Sequence, residues 1–296
     1  MMIELKAHRC SPRPGRLSEG PVWDARTDEV LWVDIPAGRI HRAALRDGDL
    51  IGRSTVSVGK RVSAVVPCAS GALIATAVDT FLHIDDGTMT EVAALSLPDD
   101  GIRRRMNDAK ADPWGRLFAG TMSEDEIPGT AALYRLDPDG ELSTVRQQVT
   151  ISNGLGWSPD GATVYYADSP THRVDAFDYD SATGTFSGGR PFAEFSDGLP
   201  DGLTVDARGY VWVAVWGAGQ VRAFDPSGRP YAVIDVGPAQ VSSCAFAGPD
   251  LDVLVITTAA EGSAAPDAGR LFTCRPGVSG LPTNTYDDAR LVSNDR

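Results

Sequence analysis

The chain has 296 residues, with 27 Lys and Arg against 40 Asp and Glu, a formal net charge of −13 and a pI near 4.7. That balance excludes the basic surface on which nucleic acid or an anionic membrane docks. Four cysteines without a Cys-x-x-Cys pair, in a chain this long, read as free and mostly buried thiols rather than as a disulfide framework.

The start, Met1-Met-Ile-Glu-Leu-Lys-Ala-His-Arg, is too charged for a secretory signal. No apolar run is long enough to span a bilayer, so a cytoplasmic protein is the expectation. After a first strand-like run, Ile3–Arg9, a unit of one pattern begins: a polar residue, a short apolar run, a turn, then a second apolar strand. Its first copy is Glu19-Gly-Pro-Val-Trp-Asp, the turn Asp24-Ala-Arg-Thr-Asp, and Val30-Leu-Trp-Val. The second runs through Ser63-Ala-Val-Val-Pro-Cys, Ser70-Gly and Ala72-Leu-Ile-Ala. The third is Asn107-Asp-Ala-Lys-Ala-Asp with Asp112-Pro-Trp-Gly and Leu117-Phe-Ala. The fourth is Asn153-Gly-Leu-Gly-Trp-Ser with Ser158-Pro-Asp-Gly and Val164-Tyr-Tyr-Ala, and the fifth Asp201-Gly-Leu-Thr-Val-Asp with Asp206-Ala-Arg-Gly and Val211-Trp-Val-Ala. The sixth is Ser243-Cys-Ala-Phe-Ala-Gly with Gly248-Pro-Asp and Val253-Leu-Val-Ile.

The starts at 19, 63, 107, 153, 201 and 243 lie 42 to 48 residues apart, the period of propeller blades. Outer runs such as Arg39-Ile-His-Arg, Ala132-Leu-Tyr-Arg-Leu, Arg173-Val-Asp-Ala-Phe-Asp and Gln220-Val-Arg-Ala-Phe-Asp alternate as half-buried strands do. The last unit has three strands, near Ser243–Phe246, Leu251–Thr258 and Arg270–Cys274, and Ile3–Arg9 can supply its fourth. The expected fold is all-β, a six-bladed β-propeller of four-stranded blades, forming one domain over 1–296.

Glu19, Asn107, Asn153 and Asp201 share one repeat phase. In a closed ring, four oxygen-bearing side chains from distant parts of the chain would converge on the axis, as a metal site requires. The four histidines, His8, His41, His83 and His172, fall off that phase and read as outer-strand or turn residues. There is no Gly-x-Ser-x-Gly elbow, His-Glu-x-x-His helix, P-loop or spaced Cys/His set. Taken singly the same residues have plainer readings. Asn153-Gly and Asp201-Gly are common turn pairs, Arg105 closes a basic surface run, and Asp108 braces a loop.

Taken together, Leu17-Ser-Glu-Gly-Pro-Val-Trp, the run from Arg105-Met-Asn-Asp-Ala-Lys to Phe-Ala-Gly-Thr-Met122, Ile151-Ser-Asn-Gly-Leu-Gly-Trp-Ser and Pro200-Asp-Gly-Leu resemble the SMP-30/gluconolactonase family. The resemblance runs in order from about residue 15 to 275. It implies a six-bladed propeller and hydrolysis of a sugar lactone. It also implies one divalent ion held by Glu19, Asn153 and Asp201, with Asp201 as general base, and a small-molecule lactone met by Arg105, Asn107 and Asp125. Hard oxygen ligands suit Ca²⁺ first, and also admit Mg²⁺, Mn²⁺ or Zn²⁺. Ala109 stands where the family has Gly, which would shift the loop if that position needed positive φ. Trp216-Gly-Ala-Gly replaces a more polar stretch, so Trp216 either lines the channel mouth or packs between blades. Two alternatives stay open: a lactonase or esterase acting on a non-sugar ring, and a calcium-binding protein without turnover.

Overall fold

The computed structural model describes residues 2–11 and 15–293; the ends of the expected 1–296 domain lie outside the described residues. The chain enters through β1 (Ile3–Lys6) and β2 (His8–Arg9). Blade 1 is β3 (Ser18–Asp24), β4 (Glu29–Asp34), β5 (Arg39–Arg46) and β6 (Asp49–Ser57), and blade 2 is β7 (Ala64–Pro67), β8 (Leu73–Ala77), β9 (Thr80–Asp85) and β10 (Thr88–Ala94). Blade 3 is β11 (Arg104–Ala111), β12 (Leu117–Ser123), β13 (Ala131–Leu136) and β14 (Leu142–Val149), and blade 4 is β15 (Ser152–Trp157), β16 (Thr163–Asp168), β17 (Arg173–Asp180) and β18 (Thr185–Glu194). Blade 5 is β19 (Leu199–Val205), β20 (Val211–Trp216), β21 (Gln220–Phe224) and β22 (Pro230–Asp235), and blade 6 is β23 (Val241–Ala247), β24 (Val253–Thr258) and β25 (Phe272–Cys274). A short helix, α1 (Ala289–Ser293), follows. This is the six-bladed propeller that the repeat implied.

The repeat starts fall at the innermost strands. These neighbour one another in the cyclic order β3, β7, β11, β15, β19, β23 and back to β3. Each hairpin from an innermost strand to the second is set by the turn residues read above. In blade 3, Asp112 Oδ1 accepts the amides of Trp114 and Arg116, and Gly115 takes φ 85°, which a side chain would resist.

Both faces of every blade are apolar because each packs against a neighbour. Six separate cores result, one at each blade junction. Trp23 and Trp32 of blade 1 meet Val255 and Leu271 of blade 6, and Met106 and Leu117 of blade 3 meet Ile74 and Phe81 of blade 2. Phe118, Trp157, Tyr179 and Phe186 form an aromatic cluster between blades 3 and 4.

The N-terminal segment divides its work in a way its composition did not show. Only β2 completes blade 6, pairing antiparallel with β25 through His8–Thr273 and Arg9–Phe272. Ile3–Lys6 instead runs parallel to β22 as a fifth strand of blade 5. The crossing occurs at Ala7, whose amide donates to the Asp235 carbonyl at 2.8 Å and whose side chain is buried between the two blades.

At the end of the ring where these hairpins lie, residues 279–288 form a strap. Gly280 N donates to Leu251 O (2.8 Å), Asn284 Nδ2 to Ala111 O (3.1 Å), Tyr286 N to Pro67 O (3.0 Å) and Asp287 N to Gly115 O (2.9 Å). The strap thereby joins blades 6, 3 and 2, and Tyr286 is fully buried beneath it.

Glycines in the innermost strands set how closely those strands converge. A methyl group on Gly154 would lie 2.4 Å from the Asp201 carbonyl oxygen and 2.9 Å from Leu203. Gly154→Ala should therefore cost about 1–3 kcal/mol through overpacking, read as a lower urea midpoint at unchanged slope. A loss within ~0.5 kcal/mol, the size of an ordinary surface change, would mean that blades 4 and 5 are not packed this tightly.

Candidate active site

The same-phase residues sit at β-bulges, one per blade. The register of the first strand pair shifts between Glu19 and Val22, Met106 and Ala109, Ser152 and Leu155, and Pro200 and Leu203. A bulge puts two residues opposite one and re-aims their side chains, and here it turns Glu19, Asn107, Asn153 and Asp201 toward the axis end of their strands. Asn153-Gly and Asp201-Gly are therefore strand residues, not turns. Their glycines admit the adjoining blade: a methyl group on Gly202 would lie 2.1 Å from Ser243 Oγ.

A chain of hydrogen bonds links blades 3, 4 and 5. Arg105 donates to Asn107 Oδ1 at 2.8 Å. Asn107 Nδ2 donates to Asn153 Oδ1 and to the Ser152 carbonyl, both at 2.9 Å. Asn153 Nδ2 donates to Ser169 Oγ (2.8 Å), which donates to the Pro200 carbonyl (2.7 Å). Both amide N–H groups of Asn107 are thus consumed by the protein, leaving its oxygen one accepting position.

The carboxylates are differently placed. Glu19 Oε2 accepts its neighbour's amide, Gly20 N, at 2.9 Å. Asp108 Oδ1 accepts Ala109 N at 2.8 Å. Asp201 is 7% exposed, yet its Oδ1 has no hydrogen-bond partner. A buried carboxylate oxygen without a partner is costly and marks where a ligand belongs.

Electrostatics points the same way. Burial, then the Asp108 carboxylate, pushes Glu19 from 4.5 up to about 8. Burial, then Glu19 and Asp108, holds Asp201 well above the usual carboxylate range. Burial also raises Asp108, against the pull of Lys110. Three acids so crowded repel one another when ionised, and the nearby Arg105 guanidinium, itself lowered by burial, offsets only part of this. Glu19, Asp201 and the Asn153 amide offer hard oxygen donors from three innermost strands, and the partnerless Asp201 oxygen belongs to a carboxylate close enough to Glu19 to feel its charge. The residues fit a divalent cation.

Asp125 lies apart from this group, in an exposed turn after β12. Its neighbour Glu124 acts more strongly on Arg105 than Glu19 or Glu261 does, and Glu124 pairs with Arg61. Sequence reasoning passed over these rim charges because they lie in loops outside the repeat frame. Asp108 and Lys110 were legible in principle: they are two apart on β11, hence on one face. Lys110 Nζ donates to the Leu203 carbonyl at 2.6 Å. Below the acids a cavity of about 310 Å³ continues between the innermost strands, past Asp108 and Lys110, to Pro282 and Asn284 of the strap. Ala109 pairs with Ala119 and has no positive φ, so the glycine-to-alanine departure leaves the Asn107 bulge undisturbed. Trp216 ends β20 half-buried, opposite Leu199 and bridged to Gln240.

Comparison with known proteins gives consistent likenesses. The family model described as "SMP-30/Gluconolactonase/LRE-like region" matches residues 17–260. Human regucalcin is 34% identical over 300 residues, covering 96% of this chain and 99% of its own. The pentonolactonase XacC of Haloferax volcanii is 36% identical over 300 residues, covering 93% and 96%. Among solved structures, the calcium-binding protein regucalcin of Agrobacterium tumefaciens superposes with a TM-score of 0.87 at 26% identity, over 97% of this chain and 99% of that one.

The raised carboxylates set a pH dependence. A carboxyl whose folded pKa exceeds its unfolded value keeps its proton longer when folded, so its stabilisation is complete below the unfolded value and lost as pH rises through the folded one. For Glu19 that window runs from 4.5 to about 8. Chelator-treated protein should lose melting temperature across this window, and added Ca²⁺ should flatten the decline by binding the ionised form. Melting curves against pH, with and without Ca²⁺, check this; a flat profile in chelator would show that the acids are not buried together.

Proposed function

The chain belongs to the SMP-30/gluconolactonase/LRE-like family, and we propose that it is a metal-dependent sugar lactonase, hydrolysing an aldonolactone to its aldonic acid. The observation that carries the reading is the partnerless, buried Asp201 Oδ1 of a carboxylate that Glu19 and Asp108 crowd. The pentonolactonase and the lactonase term in the family description support lactone hydrolysis over other chemistries on this fold.

Glu19, Asn153 and Asp201 would hold the ion, and Ca²⁺ is the preferred assignment given the oxygen donors and the calcium-binding relative. When bound, the ion supplies Lewis acidity to a lactone carbonyl. The remaining steps belong to the chain. Asp201 takes a proton from the attacking water as its oxygen bonds to the carbonyl carbon. The ring C–O bond then breaks, and Asp201 returns that proton to the departing ring oxygen, which leaves as the hydroxyl of the open acid. Arg105, half-buried and braced by Asn107 and the Met106 carbonyl, sets positive charge beside the developing oxyanion. Asn107, with its N–H groups engaged, receives a substrate hydroxyl as acceptor only. The resemblance adds Asp125 as a further substrate group at the exposed rim.

A second reading is favoured by the regucalcin relatives: the same oxygens bind Ca²⁺ with no turnover. Acid release from a panel of 1,4-aldonolactones, with chelated and metal-restored protein, separates the two. Metal-restored protein should turn over at least one lactone, and Asp201→Asn should lower that rate by about 10²–10⁴-fold, the scale of lost general-base catalysis, while the fold survives. Folded protein that releases no acid from any aldonolactone with any divalent ion would overturn the lactonase reading.

A further inference from the structure

At the hairpin end of the ring, away from the axial acids, the strap ends against blade 2, and three side chains of different chemistry meet there. Cys68 follows β7, His83 lies in β9, and Asp288 closes the strap. One ligating atom of each lies within 4.8 Å of the other two. His83 Nε2 stands 2.8 Å from Asp288 Oδ2. Ser70 holds the same carboxylate, its amide donating to Oδ1 at 3.1 Å and its hydroxyl to Oδ2. Cys68 and Asp288 are fully buried and His83 half-buried.

Arg26 donates to the Cys68 carbonyl at 2.6 Å while paired with Asp24, so a guanidinium sits beside the thiol. Burial, then the Asp288 carboxylate, pushes the thiol up, and the Arg26 charge offsets part of that rise. Among the described residues this is the one cluster that joins sulfur, imidazole nitrogen and carboxylate oxygen. An ion bound about 2.0–2.3 Å from such atoms holds them roughly 3.3–3.8 Å apart in tetrahedral geometry, so small side-chain shifts suffice. One thiolate and one carboxylate also neutralise a divalent ion, which removes the main objection to burying it.

We propose that Cys68, His83 and Asp288 form a second metal site, for Zn²⁺ rather than the hard ions suited to the axial oxygens, and that it clamps the C-terminal strap onto blade 2. Two ligands come from blade 2 and the third from a segment more than 200 residues later (Ser70 to Asp288 spans 218). Binding therefore closes a long loop and stabilises the folded strap by linkage. It releases the thiol proton, so affinity rises with pH. Ser70 or water would complete the coordination.

Co²⁺ is the probe, because a thiolate ligand gives a near-ultraviolet charge-transfer band that an all-oxygen site does not. Reduced, chelator-treated full-length protein should develop that band on Co²⁺ titration and lose it when Zn²⁺ is added. Asp201→Asn should keep the band and Cys68→Ser should lack it. Since Cys68→Ser removes a buried group and could fail to fold, His83→Ala serves as the second variant, with Zn²⁺ affinity expected to fall at least tenfold. No charge-transfer band in the wild-type protein, a band that persists in Cys68→Ser, or undiminished Zn²⁺ affinity in His83→Ala would each overturn the proposal.

Discussion

Glu19, Asp108 and Asp201 are three acids held where each raises the cost of ionising another. Left to itself such a cluster would push its strands apart. The ring resists because every blade is gripped on both faces: an innermost strand cannot retreat from the axis without disturbing the two interblade cores that flank it. Interiors so packed do not yield gradually. The repulsion is therefore stored as raised carboxyl affinity for protons, or for a cation, rather than relieved by movement.

The bulges convert this rigidity into direction. A regular strand would alternate its side chains between the two faces of a blade, sending them into the interblade cores. One extra residue near the start of β3, β11, β15 and β19 turns a polar side chain to the channel instead. Gly154 and Gly202 then let the next blade approach within a distance that no side chain would permit. Asn153 and Asp201 each stand next to their glycine in sequence because one geometric event turns the polar side chain and admits the next blade. The hydrogen-bond chain from Arg105 through Asn107, Asn153 and Ser169 completes it, fixing which way each amide points.

Both ends of the chain act as fasteners. The N-terminal segment pairs with blade 5 and then blade 6, so the ring closes through strands from opposite ends of the sequence. The strap crosses the far end of the channel and ends at the Cys68–His83–Asp288 cluster. The cavity between acids and strap, lined by Lys110 and Val66 among others, is thereby covered on the side opposite the axial site.

The repeat phase, the six blades and the convergence of Glu19, Asn107, Asn153 and Asp201 were legible from sequence, because a repeating unit places equivalent residues at equivalent positions whatever the atomic detail. Ala109 and the turn-like Asn153-Gly and Asp201-Gly pairs were ambiguous, since a bulge and a turn draw on the same residues and only strand pairing separates them. The division of Ile3–Arg9 between two blades, the role of Ser169, the rim charges Arg61, Glu124 and Glu261, and the meeting of Cys68 and His83 with Asp288 were decided by tertiary structure alone. Each depends on segments that share no repeat register. Their proximity follows from how the ring closes and where the strap runs, which no local pattern encodes.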